Sequence, residues 1–248
     1  MDQSGWSEEH QAERHVMSES SPVQPAVGGP VLFSERLRLR PVTLDDTAAV
    51  QSYRGRDDVV RYLTHDPLSL DATRARMRVS VEHWRRYPAD WFNANFAAEL
   101  PAGGAESDGK RVPGAGRVIG DLRAWNLELD ASGPATESAD VFWIGYAFHP
   151  DMQGKGYARE AAARMVRWLF DERSARELRA IAWTPNTASI MLLEKLGFRI
   201  FRELPAELEE HPKKLPAVHL RLMRSDWAAA QHKHATRQST SRTQTEES

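Results

Sequence analysis

The stretch HPDMQGKGYARE, residues 149–160, sets two glycines and a lysine between an aromatic run, VFWIGYAF, and an alanine-rich one, AAARMVRWLF. The first run reads as a strand and the second as a helix, which places the glycines at a strand-to-helix turn. A helix N-terminus presents unpaired backbone N–H groups and a partial positive charge, and both attract phosphate. The backbone must come close to a ligand before it can use them. Gly154 and Gly156 permit that approach because they have no Cβ and tolerate unusual dihedrals, while Lys155 adds a positive charge. The stretch lacks the GxxxxGK[ST] of a P-loop, and a dinucleotide GxGxxG would need a glycine where Arg159 stands. From these residues alone, a phosphate cradle and a plain tight turn are both open readings.

Such a turn works only if a sheet and a helix hold it. The run at 141–149 carries too many apolar residues for a solvated face, so it belongs near the centre of a sheet. After the turn, Ala158, Ala161, Ala162, Met165, Val166, Leu169 and Phe170 recur at helical spacing, and Glu160 is set for an i,i+4 pair with Arg164 on the other face. LRAIAWT (178–184) reads as the next strand. NTASIMLLEKLGF (186–198) reads as a short helix, capped by Asn186 and ended by Gly197 in the left-handed conformation. Upstream, RLRLRPV (36–42) alternates as a strand, and a helix follows with Thr43 as cap and Asp46 completing a variant capping box. A basic helix at 69–87 and strands at 91–100 and 117–129 come next, with the Gly/Pro-rich segment 101–116 read as a mobile hairpin connection. FRIFREL and VHLRLMRSDW close the core as two strands, giving a mixed α/β order.

Composition excludes several classes. The 248-residue chain is 41% hydrophobic and 27% charged with a net charge of −2, which argues against nucleic acid as main partner. No apolar run approaches the ~18 residues that span a membrane, and the acidic N-terminus has no apolar h-region. With no cysteine there is no disulfide, no thiolate metal site and no cysteine acyl-enzyme, which fits a reducing cytoplasm. Residues 1–29 and 228–248 are polar and aperiodic, and read as disordered tails around a single domain at 30–227. The HKH at 232–234 is read as tail rather than as a metal site, so no metal is expected.

Gln153-Gly154-Lys155-Gly156-Tyr157-Ala158 is similar to the Q/R-x-x-G-x-G/A motif of the GNAT (GCN5-related N-acetyltransferase) superfamily, and it lies between a central strand and a long helix as it does there. Asn186 and Ser189 followed by EKLGF resemble the N-x-x-S…K-x-G-F segment of the RimJ/RimL-like branch, and ERLRLRPVTLDD and RVIGDL look like that branch too. The resemblance covers residues 33–227.

It implies an α/β (α+β) fold: a twisted mixed sheet of about seven strands, flanked by about four helices and splayed between the fourth and fifth strands. Those would be 141–149 and 178–184. It implies acetyl-CoA as acyl donor, with Phe148 and His149 offering backbone to the pantetheine arm and the amides from Gln153 to Ala158 holding the diphosphate. Asn186 would contact the arm from the other side, and a backbone N–H at the fifth position of the splayed strand, Gly145, would polarise the thioester carbonyl. The acceptor would be the primary amine of a small molecule or a protein N-terminus, attacking directly in a ternary complex. Two positions depart from the family. Leu193 stands where many relatives carry a tyrosine that protonates the thiolate, so Ser189 is expected in that role. Trp143 stands where a glutamate base is common, leaving Asp121 and Asp140 as candidate bases beside a water relay. Both departures keep a non-catalytic CoA-binding regulatory module in view, and some relatives use longer acyl groups. Trp84, Tyr87, Trp91, Trp125 and Trp143 suggest an aromatic acceptor pocket, the arginines of the 69–87 helix either a solvated face or an attraction for an acidic surface or the cofactor's 3′-phosphate, and a homodimer is among the assemblies open to the chain.

Overall fold

Alternation in RLRLRP does what a strand requires. Leu37 and Leu39 are fully buried, while Arg38 and Arg40 both reach the buried Glu99 on the adjacent strand at 2.8 Å. The computed structural model describes residues 28–86, 93–101, 116–128, 136–137, 140–206 and 213–232. Tyr87, Trp91, the segment 102–115 and most of both terminal tails lie outside the described residues.

The strands are β1 (Leu32–Phe33), β2 (Arg38–Pro41), β3 (Asn93–Leu100), β4 (Arg117–Trp125), β5 (Leu127–Glu128), β6 (Thr136–Glu137), β7 (Val141–Phe148), β8 (Glu177–Trp183), β9 (Arg199–Leu204) and β10 (Ala217–Met223). The helices are α1 (Thr47–Arg54), α2 (Asp57–Val60), α3 (Leu70–Arg85), α4 (Tyr157–Asp171), α5 (Thr187–Lys195) and α6 at 224–232. Among the described residues no helix is long and apolar enough to cross a membrane.

Eight strands form one mixed sheet in the order β1-β2-β3-β4-β7-β8-β10-β9, and β5 pairs with β6 apart from it. Every pairing is antiparallel except β7 with β8, whose parallel register stops after Val141↔Glu177, Phe142↔Leu178 and Trp143↔Arg179. Past that point each strand stays fastened to its own half of the sheet. β7 continues on β4 as far as Phe148↔Gly120, and β8 continues on β10 as far as Trp183↔Ala217. The sheet therefore opens between β7 and β8, where the family resemblance places the gap.

Helix α4 buries Met165, Trp168, Leu169 and Phe170 along one stripe. Full burial of such side chains is worth about 1.5–3 kcal/mol each. Phe96 of β3 meets Trp84 of α3 and Trp168 of α4 edge-on, with ring centroids 4.9 and 5.2 Å away. Trp84 and Trp143 are core side chains, so of the described aromatics expected around an acceptor only Trp125 lines the gap.

The sheet has one strand more than the seven expected, and there are six described helices instead of four. The extra strand β1 is two residues long and shows no alternation. Helix α2 is a single turn. The run VHLRLMRSDW changes from strand to helix after Met223, and α6 continues to position 232, past the core boundary expected at 227.

Candidate active site

Between β7 and α4 the chain makes a 3-10 turn, Pro150–Met152, and then takes positive φ at Gly154 (+73°) and Gly156 (+81°). A Cβ at Gly154 would touch nothing within 4 Å, and one at Gly156 would meet only Arg36 Nη2 at 3.3 Å. The glycines are therefore required by backbone conformation more than by crowding. Six successive N–H groups, from Gly154 to Arg159, donate to no partner among the described residues. They include the orphan amides of the first turn of α4, and the helix dipole adds positive potential there.

Arg36 braces this turn from outside. Its Nη1 donates to the Lys155 carbonyl at 3.1 Å and its guanidinium lies 4.4 Å from the Tyr157 ring centroid. Glu160 accepts from Ser34 Oγ, Arg36 N and Arg36 Nε, each at 2.7 Å, and these contacts hold its carboxyl below the usual range against the opposing effect of burial. The i,i+4 pair expected with Arg164 is not formed, because the β1–β2 connection offers Glu160 three donors instead of one.

The opening between β7 and β8 is a cleft of about 1150 Å³. Of the ten expected site residues, Phe148, Gln153, Gly154, Gly156, Tyr157, Ala158, Asn186 and Ser189 line it, while His149 and Lys155 do not. His149 turns away: its N–H donates to the Ile119 carbonyl at 2.9 Å and its Nδ1 accepts from Asp151 N at 3.2 Å. The Phe148 carbonyl accepts Gln153 Nε2 at 3.1 Å. The His149–Ile119 bond also sets the alternation along β7. Odd-numbered residues, Gly145 among them, turn N–H and C=O to β4, and even-numbered ones turn them to the open side. The main-chain donor that faces the cleft midway along the splayed stretch thus belongs to Tyr146, one residue beyond the expected Gly145.

Asn186 caps α5, its Oδ1 accepting from Ser189 N at 3.2 Å. The Ser189 hydroxyl points across the cleft, with Oγ 3.0 Å from the Tyr146 hydroxyl. Burial pushes the Tyr146 phenol up to about 12, with the Ser189 contact working weakly the other way, so the phenol keeps its proton throughout the neutral range. Leu193 is buried in the cleft wall. A hydroxyl pair is thus present, but its phenol comes from a strand and not from α5. The GY of VFWIGYAF was the available signal, yet nothing local in it shows that the ring meets Ser189, 43 residues on.

Asp121 lies in the far wall of the cleft with its carboxylate fully engaged. Tyr53 Oη donates at 2.7 Å, Arg54 Nε at 2.9 Å and Arg54 Nη2 at 2.6 Å. Arg54 Nη1 is 3.0 Å from His65 Nε2. Arginine only donates, so His65 accepts there, and its proton sits on Nδ1, facing the Asp66 carbonyl at 2.8 Å. Burial and the nearby cations hold His65 below the usual histidine value. Asp140 lies at the start of β7, paired with Arg176 at 2.8 Å, and does not line the cleft. Of the two carboxylates, Asp121 thus lines the cleft but is engaged by Tyr53 and Arg54, and Asp140 stands outside it. Removing one partner of a buried ion pair strands the other charge, so Arg54→Leu is expected to cost about 3 kcal/mol. Urea denaturation checks this, and a loss below about 1 kcal/mol, the range of an exposed pair, would contradict it.

Comparison with known proteins gives the same picture. The sequence matches the family described as Acetyltransferase (GNAT) domain over residues 36–199. An uncharacterized N-acetyltransferase, p20, of Bacillus licheniformis is 26% identical over 168 residues, covering 68% of this chain and 82% of the relative. Among solved structures, ribosomal-protein-S5-alanine acetyltransferase from Vibrio fischeri superposes with a TM-score of 0.60 at 17% identity, covering 80% of this chain and 99% of that one. Spermidine N-acetyltransferase from Vibrio cholerae, solved with CoA and spermine, gives 0.58 at 15% identity, covering 78% and 98%. With the strands parting after Trp143, the glycine turn at the mouth of the gap, and a match that spans most of the chain, the protein belongs to the GNAT acetyltransferase family.

Proposed function

We propose that the protein transfers an acetyl group from acetyl-CoA to a primary amine by direct attack in a ternary complex. The observation that carries this reading is the convergence on one cleft of unpartnered helix-turn amides, the open edge of β7 and the Tyr146–Ser189 hydroxyl pair. The amides from Gly154 to Arg159 suit the CoA diphosphate. Tyr146 and Phe148 N–H on the open edge suit the pantetheine arm, and Tyr146 N–H also suits the thioester oxygen. In the reaction the amine nitrogen bonds to the carbonyl carbon, the C–S bond breaks, and Ser189 Oγ–H protonates the leaving thiolate while Tyr146 Oη–H replaces that proton and the phenolate at once takes one back from water. The ammonium proton leaves through water, since Asp121 is engaged by Arg54. Positioning supplies much of the rate in such a site. The family implies no resident metal, and a cytoplasmic setting is part of the proposal.

Thiol release from acetyl-CoA with a panel of amines and N-terminal peptides tests this reading. Turnover that collapses in Asn186→Ala is the expected result. CoA binding with no turnover on any acceptor would favour a regulatory module instead, and preference for malonyl- or succinyl-CoA would change the donor.

A further inference from the structure

The wall of the cleft opposite the glycine turn has a definite charge. Arg54 of α1, Arg76 of α3 and Arg123 of β4 line it, with Asp58 and Asp121 as the carboxylates. Both carboxylates are already matched, Asp121 to Arg54 at 2.6 Å and Asp58 to Arg56 at 2.8 Å. Arg76 and Arg123 have no ion pair among the described residues. Arg123 is nonetheless held in place: its Nε donates to Asn93 Oδ1 at 2.8 Å and its guanidinium lies 4.6 Å from the Trp125 ring centroid. Among the described residues its two Nη groups meet no acceptor, which leaves them for a ligand. All five arginines of the basic α3 segment are exposed, and of them Arg76 alone lines the cleft.

We propose that the acceptor is a primary amine that also carries an oxyanion, a carboxylate or a phosphate, which Arg76 and Arg123 bind while the amine points to Tyr146. The proposal rests on the acetyltransferase reading above and names its substrate class. Guanidinium forks match such oxyanions bidentately. Burial and the charge of Arg54 pull Arg76 below the usual arginine range, and burial, Arg54 and Arg76 do the same to Arg123 against the opposing pull of Asp121. A polyamine would meet like charges here, so the spermidine acceptor of the Vibrio cholerae neighbour does not suit this wall.

The test compares acceptors of equal length by thiol release: ω-aminocarboxylates, aminoalkylphosphonates, their neutral carboxamide isosteres and diamines. At least one anionic class is expected to exceed its isostere and the diamines by tenfold or more in kcat/KM, and the two anionic arms identify which oxyanion is preferred. In Arg76→Gln/Arg123→Gln the ratio of anionic to neutral acceptor should fall by at least tenfold while CoA affinity holds. Equal use of amides or diamines, or an unchanged ratio in the variant, would overturn the proposal. A binding arm stands apart from turnover. Methylphosphonate and acetate should raise the melting temperature of the CoA-loaded wild type and not that of the double variant, and no difference between the two would also overturn it. If no amine of any charge releases thiol while the binding arm succeeds, the catalytic reading fails and the anion site stands.

Discussion

Gly156→Val is expected to weaken CoA binding by about three orders of magnitude in calorimetry, with the fold retained. At Gly156 the backbone sits at φ +81°, where a β-branched residue is a genuine outlier. Its new Cβ would also face Arg36 Nη2 at 3.3 Å, and Arg36 braces the Lys155 carbonyl. Relaxing to negative φ swings the Tyr157 and Ala158 amides away from the position they share with Gly154. Losing about three charge-assisted hydrogen bonds at about 1.5 kcal/mol each corresponds to that drop in affinity. The turn is exposed, so the strain should lower the melting temperature by only a few degrees. Gly154→Ala serves as the contrast: its Cβ has open space and only the φ of +73° resists it, so a loss of about tenfold is expected there. Wild-type CoA affinity in Gly156→Val would remove the glycine turn from the site.

The second large effect falls on turnover. Tyr146→Phe and Ser189→Ala should each lower kcat by about a hundredfold, the lower range for proton transfer by a positioned group. Their hydroxyls are 3.0 Å apart and act as one relay, so the double variant should be no slower than the slower single one. A merely structural role would give additive losses and a matching drop in stability. Because burial holds the Tyr146 phenol near 12, its proton is available across the neutral range, and no loss of activity from its ionisation is expected below about pH 10.

Some of this was legible in the sequence because it is local. Two glycines at an abrupt change from strand to helix imply positive φ and bared amides, and Asn186 followed by Ser189 implies a helix cap; both are present. The amphipathic stripe of α4 follows from spacing alone. What could not be read depends on long-range meeting. Glu160 is drawn to Arg36, 124 residues away, instead of to its neighbour on the helix. Tyr146 finds Ser189 only because β7 and β8 part, and the Asp121 carboxylate is engaged only because Arg54 and Tyr53 arrive from α1. That the N–H of Tyr146 and not of Gly145 faces the cleft follows from the register of β7 on β4, which composition does not reveal.

On the proposed function, the amides from Gly154 to Arg159 and the open edge of β7 hold one cofactor between them. A crystal structure of the protein with CoA tests it most directly. The expected result is the diphosphate within hydrogen-bond distance of those amides, the pantetheine running along Phe148 and Tyr146, and the sulfur beside Ser189 Oγ. A structure at saturating CoA with the diphosphate seated on any other surface would contradict it.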